Sequence, residues 1–349
     1  MINLINKNNC CGCSACVSVC PTKCISMRED DEGFLYPIIE SSKCINCRKC
    51  ENVCPFIKKI PEAKYQNVYV GYANDLQLRI LSSSGGIFSV IAENVLNQNG
   101  VVYGVKMSQS CEECSFIKVT ALKELSALRG SKYLQSKSIG IFENIEKELK
   151  NNKQILFSGT PCQVNALKSF LQKEYDNLLC VDFVCHGVPS PLLWKKYLKY
   201  FETKKNCKIV DVNFRDKSVN WLSFGISMKS NKKSFFIPRT HSSFFQMFMK
   251  NLSLRPSCYN CKAKKNRFTD ITIGDFWGIE NALRKNILSK FDYEKGCSLI
   301  ITRNIKGEKF INNLKNLLEL KSLDYRDAVF YNDAEYLSVN LPKEREKFF

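Results

Sequence analysis

The chain has 349 residues, 52 Lys and Arg against 34 Asp and Glu, a formal charge of +18, and a composition 44% hydrophobic and 25% charged. That balance excludes an intrinsically disordered chain, leaves ample material for a core, and makes two domains the natural division at this length. Nineteen Cys and two His, with no apolar stretch behind Met1-Ile2-Asn3-Leu4-Ile5-Asn6-Lys7 and no run near the roughly 18–20 residues of a membrane span, exclude a secreted disulfide scaffold and point to a cytoplasmic protein whose thiols bind metal.

The first sixty residues hold a duplication. Cys10, Cys13, Cys16 and Cys20 read C-x2-C-x2-C-x3-C before Pro21, and Cys44, Cys47, Cys50 and Cys54 repeat the spacing before Pro55, each 34 residues after its counterpart. This is the bacterial dicluster ferredoxin spacing, in which the fourth Cys of each run ligates the other cluster. Two-residue gaps wrap a loop around three corners of a cubane, and the three-residue gap enters a short helix that turns the fourth thiolate away. The expected sets are therefore Cys10, Cys13, Cys16 and Cys54 for one [4Fe-4S] cluster, and Cys44, Cys47, Cys50 and Cys20 for the other. Structural zinc would use separated C-x2-C pairs instead. Cys11 and Cys24 fall outside the pattern as bystanders. Cys24–Met27 and Phe34–Pro37 have β character. The domain is expected to span residues 1–60, with Pro61-Glu62-Ala63-Lys64 as a linker.

From residue 66 to 349 strand-like and helical runs alternate, so the larger domain reads as α/β, with the tail from about 318 unassigned. Strands are expected at Asn67–Tyr72, Val101–Met107, Gln154–Ser158, Leu178–Val184, Ile271–Trp277 and Ser298–Arg303. Helices are expected at Gly85–Asn97, with apolar residues at 87, 88, 91, 95 and 96 and Gly100 beyond its end, at Ile139–Lys150, from Pro161 through Leu171, and at Pro189–Phe201. Leu222–Met228 and Ser234–Pro238 read as a hairpin around Ser230-Asn231.

Open α/β sheets place chemistry beyond strand C-termini. Two such positions carry Cys162 and Cys185, and Cys258-Tyr259-Asn260-Cys261 supplies a C-x2-C pair. These four thiols make a candidate third [4Fe-4S] set; the bland alternative is two small buried hydrophobes and an incidental pair. Cys111-Glu112-Glu113-Cys114 competes, but its acidic filling opposes an anionic cluster, and it reads as a surface hairpin tip. Ser82-Ser83-Ser84-Gly85-Gly86 before a helix suits an anion, and Arg129-Gly130-Ser131-Lys132-Tyr133 adds cations. No G-x-G-x-x-G or G-x4-G-K-S/T occurs. His186 follows a candidate ligand and is the candidate catalytic residue, tuning the cluster by a hydrogen bond or donating a proton near a flavin or substrate; the alternative is a structural His. His241 sits at a helix start and reads as structural. Asp275 pairs with the Arg-rich stretch before it or belongs to a site.

Together, Ser82 to Gly86, Arg129 to Gln135, Gly159 to Leu167, Val184 to Pro191, Phe214-Arg215-Asp216-Lys217, Arg255 to Cys261 and Asp270 to Gly278 resemble the family of beta subunits of coenzyme F-420-reducing hydrogenase and dehydrogenase, over residues 66 to 310. The resemblance implies an iron–sulfur flavoprotein oxidoreductase that binds FAD and a [4Fe-4S] cluster on Cys162, Cys185, Cys258 and Cys261. It implies FAD contacts at Ser83, Ser84, Gly85, Gly86, Ser131, Lys132, Tyr133, Gln135, Gly159 and Thr160. It implies electron exchange with a hydride carrier, either a deazaflavin or another organic substrate, since similar bacterial proteins accompany surface-polysaccharide genes. The partners are then a ferredoxin-like donor or another component of a redox complex, and a small molecule. The alternative is a non-catalytic electron-transfer subunit of a larger redox complex. A nucleic-acid binder fits less well, because each cluster carries about −2, and FAD about −2, which takes the holoprotein to roughly +10. Twelve thiols are thereby assigned, leaving Cys11, Cys24, Cys111, Cys114, Cys180, Cys207 and Cys297.

Overall fold

The computed structural model describes residues 6–288 and 291–349, so the reading of Met1 to Ile5 lies outside the described residues. The N-terminal region is a small ferredoxin-like module. Among the described residues its strands are the hairpin β1 (Ile25–Glu29) and β2 (Leu35–Ile39), paired antiparallel with Ile25 opposite Ile39. Asp30 sets the turn by accepting the backbone N–H groups of Glu32 and Phe34. Its small core is built largely of sulfur: Cys16, Cys24 and Ile25 are buried against Val17, Cys20, Ile39, Cys44, Cys50 and Cys54.

The duplication extends into the backbone. Gly12 and Asn46 are both left-handed, with φ of 68° and 54°, and so are Ser14 and Arg48, with φ of 62° and 56°. Each pair is separated by the repeat offset. Ser14 and Arg48 each precede a one-turn helix, Ala15–Val19 and Lys49–Asn52. Two left-handed residues per loop bend it so tightly that successive thiols turn toward its inside.

The larger domain is built on a nine-stranded mixed sheet. In chain order its strands are β3 (Asn67–Ala73), β4 (Val101–Met107), β5 (Cys114–Val119), β6 (Ser136–Lys137), β7 (Ile155–Ser158) and β8 (Leu178–Phe183), and then, after a separate three-stranded sheet of β9 (Ile209–Asp216), β10 (Gly225–Ser230) and β11 (Ser234–Pro238), β12 (Ile271–Asp275), β13 (Ser298–Thr302) and β14 (Leu318–Ser322). The spatial order is β14-β3-β13-β12-β8-β7-β4-β5-β6. The centre, β12-β8-β7-β4, is parallel, and antiparallel strands flank it. Alternation along β7 sends Leu156 to one face and Ile155 and Phe157 to the other. The Leu156 face packs Ile87, Ile91 and Val95 of helix Ile87–Asn97. The Phe157 face packs helices Ile141–Lys150 and Pro161–Leu171, and it also takes Cys13, Ala15 and Val53 of the N-terminal module.

Several expected boundaries move for identifiable reasons. The Pro189 helix starts at Pro191, because the Ser190 hydroxyl caps it by accepting from Leu193 N–H. The strand expected to reach Trp277 ends at Asp275, and the one expected from Leu222 begins at Gly225. The stretch at Pro61–Lys64 is tied down: Glu62 bridges Asn266, and Ala63 N–H donates to Lys265 O at 2.7 Å. The Cys111–Cys114 segment is a hairpin tip between β4 and β5, but it is not surface. Both thiols are buried among Leu134, Trp194 and Leu198, and Cys111 O accepts the Trp194 indole N–H at 2.7 Å. Among the described residues no helix is long and apolar enough to cross a membrane.

Candidate functional site

All nineteen Cys are free thiols. The expected inner set comes together at the seam between module and domain. Burial pushes Cys16 up, and charge on Cys13, Cys10 and Cys54 pushes it further. Cys54, raised to about 11 chiefly by burial, feels Cys13 and Cys10 in turn. The expected outer set is open. Cys20, Cys44, Cys47 and Cys50 line a shallow hollow with Ile25 and Ile39, and Cys47 is exposed. Cys24, read as a bystander, stands in this wall with its sulfur 3.4 Å from that of Cys20.

The third set assembles at the C-terminal edge of the parallel strands. Cys162 enters from β7 through a capping box, in which Thr160 and Gln163 satisfy each other's backbone N–H groups. Cys185 follows β8, the neighbouring strand. The Cys258 loop is held beside it by the Pro189–Leu254 bridge and by Arg255 N–H donating to Val188 O at 2.9 Å. Burial raises Cys185 to about 12, with Cys162 and Cys261 adding to it, and burial together with Cys185, Cys261 and Cys162 raises Cys258. The four half-buried thiols thus stand close enough to act on one another. Cys11, the other supposed bystander, lies between sets: it hydrogen-bonds both Cys13 and Cys162, and these contacts and burial hold it protonated.

The donor chemistry suits iron–sulfur clusters. Each set is all-sulfur, and clusters of this kind take one thiolate per iron. Among the described residues no three His, Cys, Asp or Glu side chains converge tightly enough for a single metal ion. Arg255 gives independent support. Its guanidinium is 1% exposed and bonds only neutral acceptors. A buried cation calls for a counter-charge, and anionic clusters at Cys10, Cys13 and Cys162 would supply one.

A polar site lies along the same sheet edge. The Ser82–Gly86 turn folds back on β3, where Ala73 N–H donates to Gly85 O at 2.7 Å. A Cβ on Gly85 would stand 2.5 Å from Gly71 O, so only glycine permits this return. Ser84 Oγ donates to Asp275 Oδ1 at 2.6 Å, and the same oxygen accepts Arg215 Nη2 at 2.7 Å and Trp221 Nε1 at 2.9 Å. Asp275 therefore pairs with Arg215, sixty residues away, and not with the preceding Arg-rich stretch. Ser83 and Ser131 hydroxyls meet at 3.3 Å. Tyr133 packs edge-on against Phe214, Phe245 and Phe248 and hydrogen-bonds Arg215. Lys217 donates to the carbonyls of Arg79, Ser84 and Lys295, each at 2.8 Å. Burial, with Arg79 and Arg215 nearby, depresses Lys217 to about 8. This local excess of cations fits an anionic cofactor such as FAD.

Ser83, Ser84, Gly85, Gly86, Ser131 and Tyr133 thus gather in one place, while four other expected contacts do not join them. Lys132 caps the short helix Leu122–Leu128 by donating to the carbonyls of Ala127, Leu128 and Arg129. Gln135 faces the N-terminal module, accepting Leu35 N–H and Arg255 Nη1. Gly159 and Thr160 belong to the Cys162 turn, where the Thr160 hydroxyl lies 3.1 Å from the Cys162 sulfur. His186 Nε2 meets Asn251 Oδ1 at 2.7 Å, and burial lowers its proton affinity. Its ring touches Phe248, which also touches Tyr133, so it stands between the third thiol set and the polar site. His241 is exposed just before helix Ser243–Met249.

Two family models match the chain. Residues 152–326 match the C terminus of the coenzyme F420 hydrogenase/dehydrogenase beta subunit, and residues 9–57 match a 4Fe-4S dicluster domain. An uncharacterised protein of Methanocaldococcus jannaschii is 25% identical over 370 residues, covering 98% of this chain and 95% of its own. One of the subunits of the F(420)H(2) dehydrogenase of Methanosarcina mazei is 20% identical, covering 91% of this chain and 85% of its own. A chain of the F420-reducing [NiFe] hydrogenase complex from Methanosarcina barkeri superposes with a TM-score of 0.53 at 12% identity, covering 78% of this chain and 88% of its own, which shows a shared fold. With a dicluster [4Fe-4S] module at its N-terminus and that C-terminal match over half its length, the chain is an iron–sulfur redox protein belonging to the family of coenzyme F420 hydrogenase/dehydrogenase beta subunits.

Proposed function

We propose that this chain is an oxidoreductase that exchanges electrons between a protein carrier and an organic hydride donor or acceptor, either a deazaflavin coenzyme or another small molecule. The reading places [4Fe-4S] clusters on Cys10, Cys13, Cys16 and Cys54, on Cys20, Cys44, Cys47 and Cys50, and on Cys162, Cys185, Cys258 and Cys261. It places FAD against Ser83, Ser84, Gly85, Gly86, Ser131 and Tyr133. Bound, such groups supply one-electron exchange at the clusters and conversion to a hydride at the flavin.

The chain's own residues would prepare these places. Arg215 and Lys217 favour an anion, and Asp275 fixes Arg215 and the Ser84 turn in register. The aromatic wall of Tyr133, Phe245 and Phe248 excludes water from the side facing His186. His186, held by Asn251, is the group placed to move a proton there. Lys23, Lys43, Arg48 and Lys49 are exposed around the outer hollow, a face suited to an acidic carrier. The observation that carries the proposal is the placement of the third thiol set and the Ser84–Asp275 site on one edge of the same sheet, beyond β7, β8 and β12. The relation to one component of a named dehydrogenase also supports the second reading, an electron-delivery role within a complex.

Anaerobic preparation followed by denaturation should release FAD, detected by fluorescence. Addition of a reduced deazaflavin or a reduced ferredoxin should bleach the cluster absorbance of the isolated chain. Protein that holds its iron but no flavin would leave only the delivery reading.

A further inference from the structure

Arg255 sits where the N-terminal module meets the larger domain. Its Nε donates to Cys10 O at 2.7 Å, Nη2 to Leu35 O at 2.9 Å, and Nη1 to Gln135 Oε1 at 3.1 Å. The rings of Tyr36 and Phe34 lie 4.2 and 5.3 Å from the guanidinium carbon. Every one of these partners is neutral. Among the described residues no carboxylate pairs with Arg255: on this seam Glu32 is taken by Arg345 and Asp30 by Lys7. The cation is therefore fully desolvated, with its donors on carbonyl and amide oxygens. Its charge is felt by the thiols of Cys10 and Cys13, both of the inner set, and by that of Cys162 across the seam. Among the described residues the outer set has no comparable neighbour. Its nearby cations, Arg48 and Lys49, are exposed and screened by water and salt.

We infer that Arg255 is a positioning residue that holds the reduction potential of the inner N-terminal centre above that of the outer one, so that an electron entering at the outer centre settles inward. The inference rests on the cluster reading above. Taking up one electron makes a centre more negative by one charge, and a fixed cation in a low-dielectric setting favours that form far more than a cation in water does. Two centres with the same four-thiol ligation and the same loop geometry are thereby made unequal by what covers them.

The test is a potentiometric titration of the anaerobic full-length holoprotein, followed by electron paramagnetic resonance. The outer signal is identified as the one lost in Cys47→Ala. Gln135→Glu places an anion beside the Arg255 guanidinium and cancels its charge without removing the side chain, and Arg255→Gln removes the charge outright. Each should lower the inner centre's reduction equilibrium at least tenfold, which is 59 mV for a one-electron couple, while the outer centre stays in place. Arg255→Lys should restore most of the loss. With iron content unchanged, an inner potential that does not move, or a shift shared equally by both centres, overturns the inference. Should Arg255→Gln fail to fold, Gln135→Glu alone decides. Wild-type protein without two N-terminal centres would instead refute the cluster reading itself.

Discussion

The two thiol sets of the N-terminal module have the same spacing and the same pair of left-handed turns, yet they sit in opposite surroundings. The inner set is packed against the Phe157 face of the large sheet, with Cys13, Ala15 and Val53 contributing to that core. The outer set borders a hollow, and Ile45 beside it is 64% exposed. Duplication copies the ligands and the loop, and the fold then makes the copies unequal. Burial, a desolvated arginine and proximity to Cys162 belong to one copy only.

The largest effect that would sharpen this contrast is a matched pair of ligand removals. Cys13→Ala should lose a cluster and also loosen the seam, so that chemical denaturation shows a lower midpoint together with lost iron. Cys47→Ala should lose the same amount of iron while the larger domain's transition stays where it was. Equal behaviour of the two variants would erase the distinction between inner and outer.

At the polar site, Asp275→Asn leaves Arg215 buried without its counter-charge. Breaking a buried pair in this way costs about 3–5 kcal/mol, measurable as a drop in unfolding free energy, and flavin retention should fall with it. A smaller contrast compares packing on the two sides of the module. Val53→Ala at the seam should cost about 1–3 kcal/mol, by analogy with other buried deletions, whereas Ile45→Ala at the exposed rim should stay within about 0.5 kcal/mol.

The smallest expected effect is a pH dependence at Lys217. Its folded pKa, near 8, lies below the free lysine value of about 10.4. Between those values the unfolded chain binds more protons than the folded one, so stability rises with pH through that window. Lys217→Met should flatten this slope relative to wild type. Under the proposed flavin reading, added FAD should flatten it too, since an anion restores the lysine's affinity for its proton. Identical slopes in denaturant titrations from about pH 7.5 to 10.5 would show that Lys217 is not the strained cation described here.

What the sequence reveals follows the range of the interaction. The eight N-terminal thiols are legible because their spacing is local and doubled. The placement of Cys162 and Cys185 at one sheet edge is legible because each follows a recognisable strand. Lys132 and Gln135 mislead because their motif neighbours are local while their function is not: the Gln135 amide works with Leu35 and Arg255, each a hundred or more residues away. Cys111 and Cys114 read as surface because a hairpin tip between acids normally is, and only the fold shows Trp194 closing over them. The strand Ile209–Asp216 carries a signal that the expected elements left unused: Val210, Val212 and Phe214 alternate with Asp211, Asn213 and Arg215.

The most direct test of the account is the iron and acid-labile sulfide content of anaerobically purified chain, read alongside Cys258→Ala. Three four-thiol sets predict about 12 iron atoms in wild type and about 8 in the variant. A wild-type value that stays near 8 and does not fall in Cys258→Ala would contradict it.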